Sequence, residues 1–201
     1  MSEPDPLQLL LRQDDLDDVV FADLDLSEAP LTDKSFRDCR FVQVRLSEAN
    51  LAGCTFDDCE FEDCDLTMAK VAKAAFRGVT FRRSKLMGVD WTDVRGITFV
   101  VSFEECNLTH TTFADRKLPQ TVFRNCRAHE ASFVGVDLSK AVFTGTDLRG
   151  ARFIDTILTE SDFSEAVNYD IRPQQNRLRK TKFSQEAALV LARQLGVVVP
   201  K

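Results

Sequence analysis

The sequence predicts an all-β solenoid, a β-helix of about eight square coils closed at its C-terminal end by one α-helix. Three observations carry that reading. Phe or Leu recurs at every fifth residue, a small side chain precedes most of them by two, and the residue types repeat in blocks of twenty. From Leu16 the large positions run Phe21, Leu26, Leu31, Phe36, Phe41 and onward to Trp91, then resume two residues out of phase from Phe103 to Phe163. All 29 are apolar, and they hold 14 of the 16 Phe in the chain. In a chain that is 44% hydrophobic, chance gives such a series roughly once in 10^10 trials.

The small positions hold residues such as Cys39, Ala49, Cys54, Cys59, Cys64, Thr111 and Thr146. A period of five suits neither a helix nor an alternating strand. It suits a chain that turns a corner every five residues, with the large and the small side chain both pointing inward. One column is entirely phenylalanine: Phe21, Phe41, Phe61, Phe81, Phe103, Phe123, Phe143 and Phe163. Another runs Leu26, Leu46, Leu66, Leu86, Leu108 and Leu148. Four pentapeptides therefore make one coil, and like residues stack between coils. Residues 16–166 give about eight coils, roughly 38 Å tall at the ~4.8 Å spacing of paired strands.

In chain order, residues 1–15 read as a lead-in or cap and 16–166 as the solenoid. Trp91 and Phe103 lie twelve residues apart where two repeats need ten. Segment 92–102 therefore carries a two-residue insertion, with Gly96 where the chain leaves the coil. Lys34 and Arg116 fall in small inward slots and predict local distortion; Ala128 replaces a large residue and predicts a gap. Residues 167–201 read as a C-terminal cap and dimerisation element. Ser184 caps a helix with Glu186 in its first turn, Arg193 in its last and Gly196 as its stop. Ala188, Leu191, Ala192 and Leu195 form an apolar stripe, and Leu189 and Val190 extend it, so more than one face needs covering. One face is expected to close the open coil and another to pair with a second copy, Val197–Pro200 adding a strand. A homodimer through the C-termini follows.

The net charge of −6 argues against direct nucleic-acid binding. No apolar run reaches the ~18 to 20 residues of a bilayer span, and the first residues lack a basic stretch with a cleavage site. A cytoplasmic chain without membrane contact is expected. All six cysteines occupy small inward positions. The spacing of Cys54, Cys59 and Cys64 lies outside the usual zinc pattern, so packing explains them and no metal or cofactor is expected. Free buried thiols favour a reducing compartment. His110 and His129 fall at outward positions on different coils. No carboxylate pair, nucleophile constellation or phosphate-cradling loop appears, which argues against an enzyme.

Charge is more informative. Residues 14–65 hold sixteen acids against four bases, and Asp57, Asp58, Glu60, Glu62, Asp63 and Asp65 wrap around two corners of one coil. A solvated face is the ordinary explanation. The density nevertheless reaches that of duplex DNA, which points to contact with a protein surface that normally holds DNA. Asp93, Val94, Arg95 and Gly96 in the insertion are a second candidate contact, with a harmless bulge as the alternative.

The unit, a small residue, Asp or Asn, Leu or Phe and two polar residues, resembles the pentapeptide-repeat family, A(D/N)LXX in consensus, over about three quarters of the chain. That resemblance implies a right-handed quadrilateral β-helix. Asp170-Ile171-Arg172, the C-terminal helix and the LGVVV ending resemble the tail of the Qnr-type, topoisomerase-protecting branch, and Leu86-Met87-Gly88-Val89-Asp90-Trp91 is similar to albicidin-resistance members. Proteins of that branch form rod-like dimers, bind DNA gyrase or topoisomerase IV and relieve poisoning by a drug. The resemblance implies a non-enzymatic protein that protects a topoisomerase from antibiotics, partly by an acidic DNA-like surface. Longer members carry two projecting loops, whereas this chain has one short insertion. Because repeat residues are a core recipe, an interaction scaffold with an unrelated protein partner stays open.

Overall fold

The computed structural model describes residues 5–96 and 99–198, and its strand register follows the twenty-residue period. Leu16 faces Phe36, Phe36 faces Phe56 and Phe56 faces Phe76, always in parallel. Phe21, Phe41, Phe61 and Phe81 face one another in the same way. Across the insertion the step is twenty-two, from Phe81 to Phe103, and it returns to twenty at Phe123.

Helix α1 (Pro6–Arg12) precedes β1 (Asp15–Asp17), β2 (Val20–Ala22), β3 (Ser35–Arg37), β4 (Arg40–Val42), β5 (Thr55–Asp57) and β6 (Glu60–Glu62). There follow β7 (Ala75–Arg77), β8 (Val79–Arg82), β9 (Val101–Glu104) and β10 (Val122–Arg124). Nearer the C-terminus come β11 (Thr156–Ile157), β12 (Asp162–Phe163), β13 (Asn176–Arg177), β14 (Lys182–Phe183) and α2 (Gln185–Gln194). Strands β1, β3, β5 and β7 build one wall and β2, β4, β6, β8, β9 and β10 the next. Single parallel bridges hold the other two walls, as in Asp25–Arg45–Asp65–Lys85 and Pro30–Asn50–Lys70. This is the quadrilateral parallel β-helix that the repeat predicts.

The corners explain the polar half of the repeat. A residue with positive φ recurs at every fifth position, among them Asp18 at 53°, Asp33 at 59°, Asp38 at 49° and Asp63 at 55°. Short polar residues and glycine tolerate this left-handed region best. At Gly53 a Cβ would also require the exposed Asp33 carboxylate on the preceding coil to swing aside. The Asp or Asn of the repeat sets up the turn by accepting hydrogen bonds from the residue two further on. Asp65 Oδ1 takes the Thr67 hydroxyl at 2.6 Å and its N–H at 3.1 Å, and Asp162 does the same with Ser164.

Inside, the Phe column forms a ladder of stacked rings that runs from Phe21 to Phe183. Phe41 and Phe61 lie 4.4 Å apart with planes 3° from parallel, and Phe123 and Phe143 lie 4.7 Å apart. A second aromatic column changes walls at the insertion. Phe36, Phe56 and Phe76 occupy the β1–β7 wall, whereas Trp91, Phe113, Phe133 and Phe153 occupy the wall opposite the ladder. Trp91 joins the two, edge-on to Phe76 at 5.0 Å and parallel to Phe113 at 6.2 Å. Ala128 is fully buried in its slot.

The small inward residues do more than fill space. Their thiols and hydroxyls donate to the carbonyl of a large residue one coil back: Cys54 to Leu31 at 2.7 Å, Thr111 to Leu86 at 2.9 Å, Thr146 to Phe123 at 2.8 Å. All six cysteines are free and buried, and burial pushes the Cys54 and Cys64 thiols up to about 11.

Lys34 and Arg116 leave the strand register intact, contrary to the expected distortion. Each reaches out to carbonyls above it. Lys34 Nζ donates to Gln13 O at 2.8 Å, and Arg116 Nη1 to Thr92 O at 2.8 Å and Val94 O at 3.0 Å. Both lie beneath a place where the regular coil is interrupted, the N-terminal end and the insertion.

The N-terminal cap is helical, which the sequence reading did not specify. Asp5 caps α1 by accepting from the Leu7 N–H at 3.1 Å, Pro6 opens the first turn, and Leu10 is fully buried on the first coil. At the other end Tyr169 and Phe183 pack on Phe163, at 5.6 and 5.8 Å. Helix α2 closes the coil less completely than expected. None of its residues is fully buried. A cleft of about 580 Å³ separates Ala187, Val190, Leu191 and Gln194 from residues 164–171.

Candidate interaction surface

Outward side chains twenty residues apart sit one above another, about 4.8 Å apart along the stack. Like charges in register repel and unlike charges pair. On one wall the sequence alternates Asp25, Arg45, Asp65, Lys85; Asp25 pairs with Arg45 and Asp65 with Lys85, each at 3.2 Å. On the β2–β10 wall a continuous chain runs Arg40–Glu60–Arg82–Glu104–Arg124, with contacts of 3.3 to 3.5 Å.

This ladder changes the meaning of the acidic patch. Asp57 pairs with Arg77 at 2.7 Å, Glu60 with Arg40 and Arg82, Glu62 with Arg40 and Arg83, Asp63 with Arg83 at 2.9 Å, and Asp65 with Lys85. Of the six, Asp58 alone has no cationic partner among the described residues. Bases on neighbouring coils therefore offset the patch, at sequence separations that a local charge window does not reach. Burial works against the charged form of Asp65, but the Thr67 hydroxyl and N–H together with Lys85 hold its carboxyl below the usual range. The carboxylates of Asp63 and Glu62 push Arg83 above the ordinary arginine value.

The unpaired negative charge lies one end further along. Residues 14–33 carry eight acids and no base. Asp14 pairs with Lys34 and Asp25 with Arg45. Asp15, Asp17, Asp18, Asp23, Glu28 and Asp33 have no cationic partner among the described residues. Over the same ~4.8 Å of rise, duplex DNA carries about three phosphates.

The insertion is strapped down. Asp93, Arg95 and Gly96 are exposed, but Val94 is buried and so offers nothing to a partner. Its side chain enters the core where the coil above places Ala74. Arg95 Nη2 reaches two coils back to Gly53 O at 2.8 Å, and the Lys73 N–H donates to Asp93 O at 2.7 Å. Ile97 and Thr98, also in the insertion, lie outside the described residues.

Within the C-terminal stripe, Leu191 and Ala192 are half-buried, while Ala188 and Leu195 are exposed. The side of α2 turned to its own coil is Ala187, Val190, Leu191 and Gln194. Val167, Leu189, Leu195, Val197 and Val198 remain open to solvent. Val199 and Pro200 lie outside the described residues.

A family model described as pentapeptide repeat region matches residues 14–91 and 97–167. Among solved structures, a trypsin-treated variant of QnrB1, a plasmid-mediated fluoroquinolone resistance protein, is similar with a TM-score of 0.63 and 18% identity, over 92% of this chain and 100% of that one. Full-length QnrB1 gives 0.45 and 20%, over 91% and 100%. A pentapeptide repeat protein from the Arabidopsis thaliana thylakoid lumen gives 0.25 and 19%, over 68% and 70%. No curated protein matches the sequence.

Proposed function

Since the chain belongs to the pentapeptide-repeat family, we propose that it is a non-enzymatic binding protein for a type II topoisomerase, DNA gyrase or topoisomerase IV, which it protects from poisoning antibiotics. The observation that carries this reading is the first coil, six of whose eight acids have no cationic partner among the described residues. A surface with that density of negative charge complements the basic track on which a topoisomerase holds DNA. The shared fold with a fluoroquinolone resistance protein, over nearly the whole chain, supports it.

In this reading the first coil is the main acidic contact and Asp58 extends it. The paired acids of the next coils become available only if a partner displaces their arginines. Asp93, Arg95 and Gly96 flank the contact on the insertion. Ala188 and Leu195, with the neighbouring apolar residues of α2 and the tail, join two copies, so that acidic tips lie at both ends of a dimer. Such a partner places the chain in the cytoplasm. Gyrase supercoiling with a fluoroquinolone present, titrated with the protein, tests the proposal. Restored supercoiling with chemically unchanged drug supports it; altered drug, or no restoration at saturating protein, contradicts it.

A further inference from the structure

Some in-register acid–base rungs form no ion pair, Asp17 with Arg37 and Lys117 with Asp137 among them, but at one rung a histidine stands between the two partners. Arg127 and Asp147 are bridged in register, as are Asp25 with Arg45 and Asp65 with Lys85, yet they do not pair. Asp147 Oδ2 instead accepts from His129 Nε2 at 2.8 Å. Its Oδ1 accepts from the Asn168 side-chain amide at 2.8 Å and from the Arg149 backbone N–H at 3.1 Å. Arg127 Nε and Arg149 Nη2 both donate to His129 Nδ1, at 3.1 and 3.0 Å.

A guanidinium can only donate, so Nδ1 is the acceptor and the imidazole is neutral, with its proton on Nε2. His129, outward by sequence, is thus covered by the two arginines and only 7% exposed. Two cations converge on one lone pair, with one carboxylate behind the ring, which leaves the group one net positive charge. Arg127 and Arg149 are exposed, and neither has a carboxylate partner among the described residues. Each keeps four of its five N–H donors beyond the bond to His129.

We infer that Arg127 and Arg149, positioned by His129, form a receptor for a single carboxylate presented by a protein partner. At the paired rungs cited above, the adjacent coil supplies the acid that an in-register base meets. Here it supplies a second base, Arg149, and its acid, Asp147, is already engaged by His129. An incoming carboxylate would complete the rung by bidentate contact and offset the repulsion between the two guanidiniums. A single net positive charge matches one carboxylate. The backbone of DNA is a poorer match, because the chain carries a net −6 and its first coil repels a polyanion. This inference does not depend on which protein the partner is.

The test is NMR of the His129 imidazole, titrated at low salt with a short end-capped peptide carrying a single glutamate and, separately, with a short DNA duplex. The peptide is expected to shift the His129 resonances saturably. Arg127→Gln with Arg149→Gln should weaken that binding at least tenfold, and Arg40→Gln should leave it unchanged. An unmoved His129 signal, equal binding by the double variant, or tighter binding of the duplex than of the peptide would each overturn the assignment. The wild-type titration is decisive by itself if the double variant proves unstable.

Discussion

Phe61 sits midway along the N-terminal half of the ring ladder, and its replacement by alanine measures what the ladder contributes. The side chain is fully buried, stacked on Phe41 at 4.4 Å and on Phe81 at 4.9 Å, with Phe56 edge-on at 5.5 Å. Removing a buried phenylalanine costs about 3 to 5 kcal/mol in transfer and cavity terms. Aromatic pairing adds about 0.5 to 1.5 kcal/mol per favourable pair. The rigid coils on either side cannot collapse into the space, so the expected loss is about 4 to 5 kcal/mol, near the upper end of the cavity range. That is a large part of a typical domain's stability. Urea unfolding followed by circular dichroism gives the number directly. Phe183, half-buried at the end of the same ladder, should lose less than half as much on the same change. A loss below about 1.5 kcal/mol at Phe61, or equal losses at both sites, would refute the view that stacking between coils carries the fold.

Three further outcomes follow from the same structure. Thr146→Val keeps the shape but removes the hydroxyl that bonds Phe123 O and accepts from the Cys126 N–H; it should cost about 1 to 3 kcal/mol in the same unfolding assay. Cys126→Ala, which removes a weak thiol donor, should cost less. Asp25, Asp65 and Asp162 all have carboxyls lowered in the fold, Asp25 and Asp162 chiefly by the hydroxyl two residues on. Their contribution is therefore complete above about pH 4, the unfolded carboxylate value, and lost as pH falls through the lower folded values. Thermal unfolding should reveal an acid limb that Asp65→Asn with Asp162→Asn makes shallower; an identical limb would contradict the assignment. Leu189→Glu with Leu195→Glu changes two exposed apolar residues of the C-terminal region and should convert a dimer to a monomer in light scattering. A persistent dimer would move the interface elsewhere.

The period of five and the two-residue slip were legible because every large position has the same inward task, which leaves a mark that local patterning exposes. The helix at residues 6–12 went unread: Asp5 followed by Pro6 and a leucine run marks its start, but its seven residues are too short to produce a periodic signal. The electrostatics were hidden for a different reason. A run such as Asp57 to Asp65 appears acidic along the chain, whereas the fold places Arg77, Arg82, Arg83 and Lys85 beside it from the next coil. Reading the sequence in columns of twenty would have shown Asp25, Arg45, Asp65 and Lys85 alternating. His129 escaped even that reading, because its burial comes from two long side chains on its own wall, not from its place in the repeat. Arg116 was anticipated as a source of strain, but its length lets it leave the core and bond the insertion's carbonyls.

The central claim is that this rod binds a type II topoisomerase through its acidic first coil. Its most direct test is the affinity of purified gyrase for the wild-type protein and for a variant with Asp15, Asp17, Asp18 and Asp23 changed to lysine, each at low and high salt. All four are free of ion pairs in the described structure, and Lys73, Lys140 and Lys180 already occupy left-handed corners like those of Asp18 and Asp23, so the change should leave the coil folded. The account predicts measurable wild-type binding that weakens as salt rises, and at least a tenfold loss in the variant. Wild-type and variant proteins binding equally, or no binding by either, would contradict it.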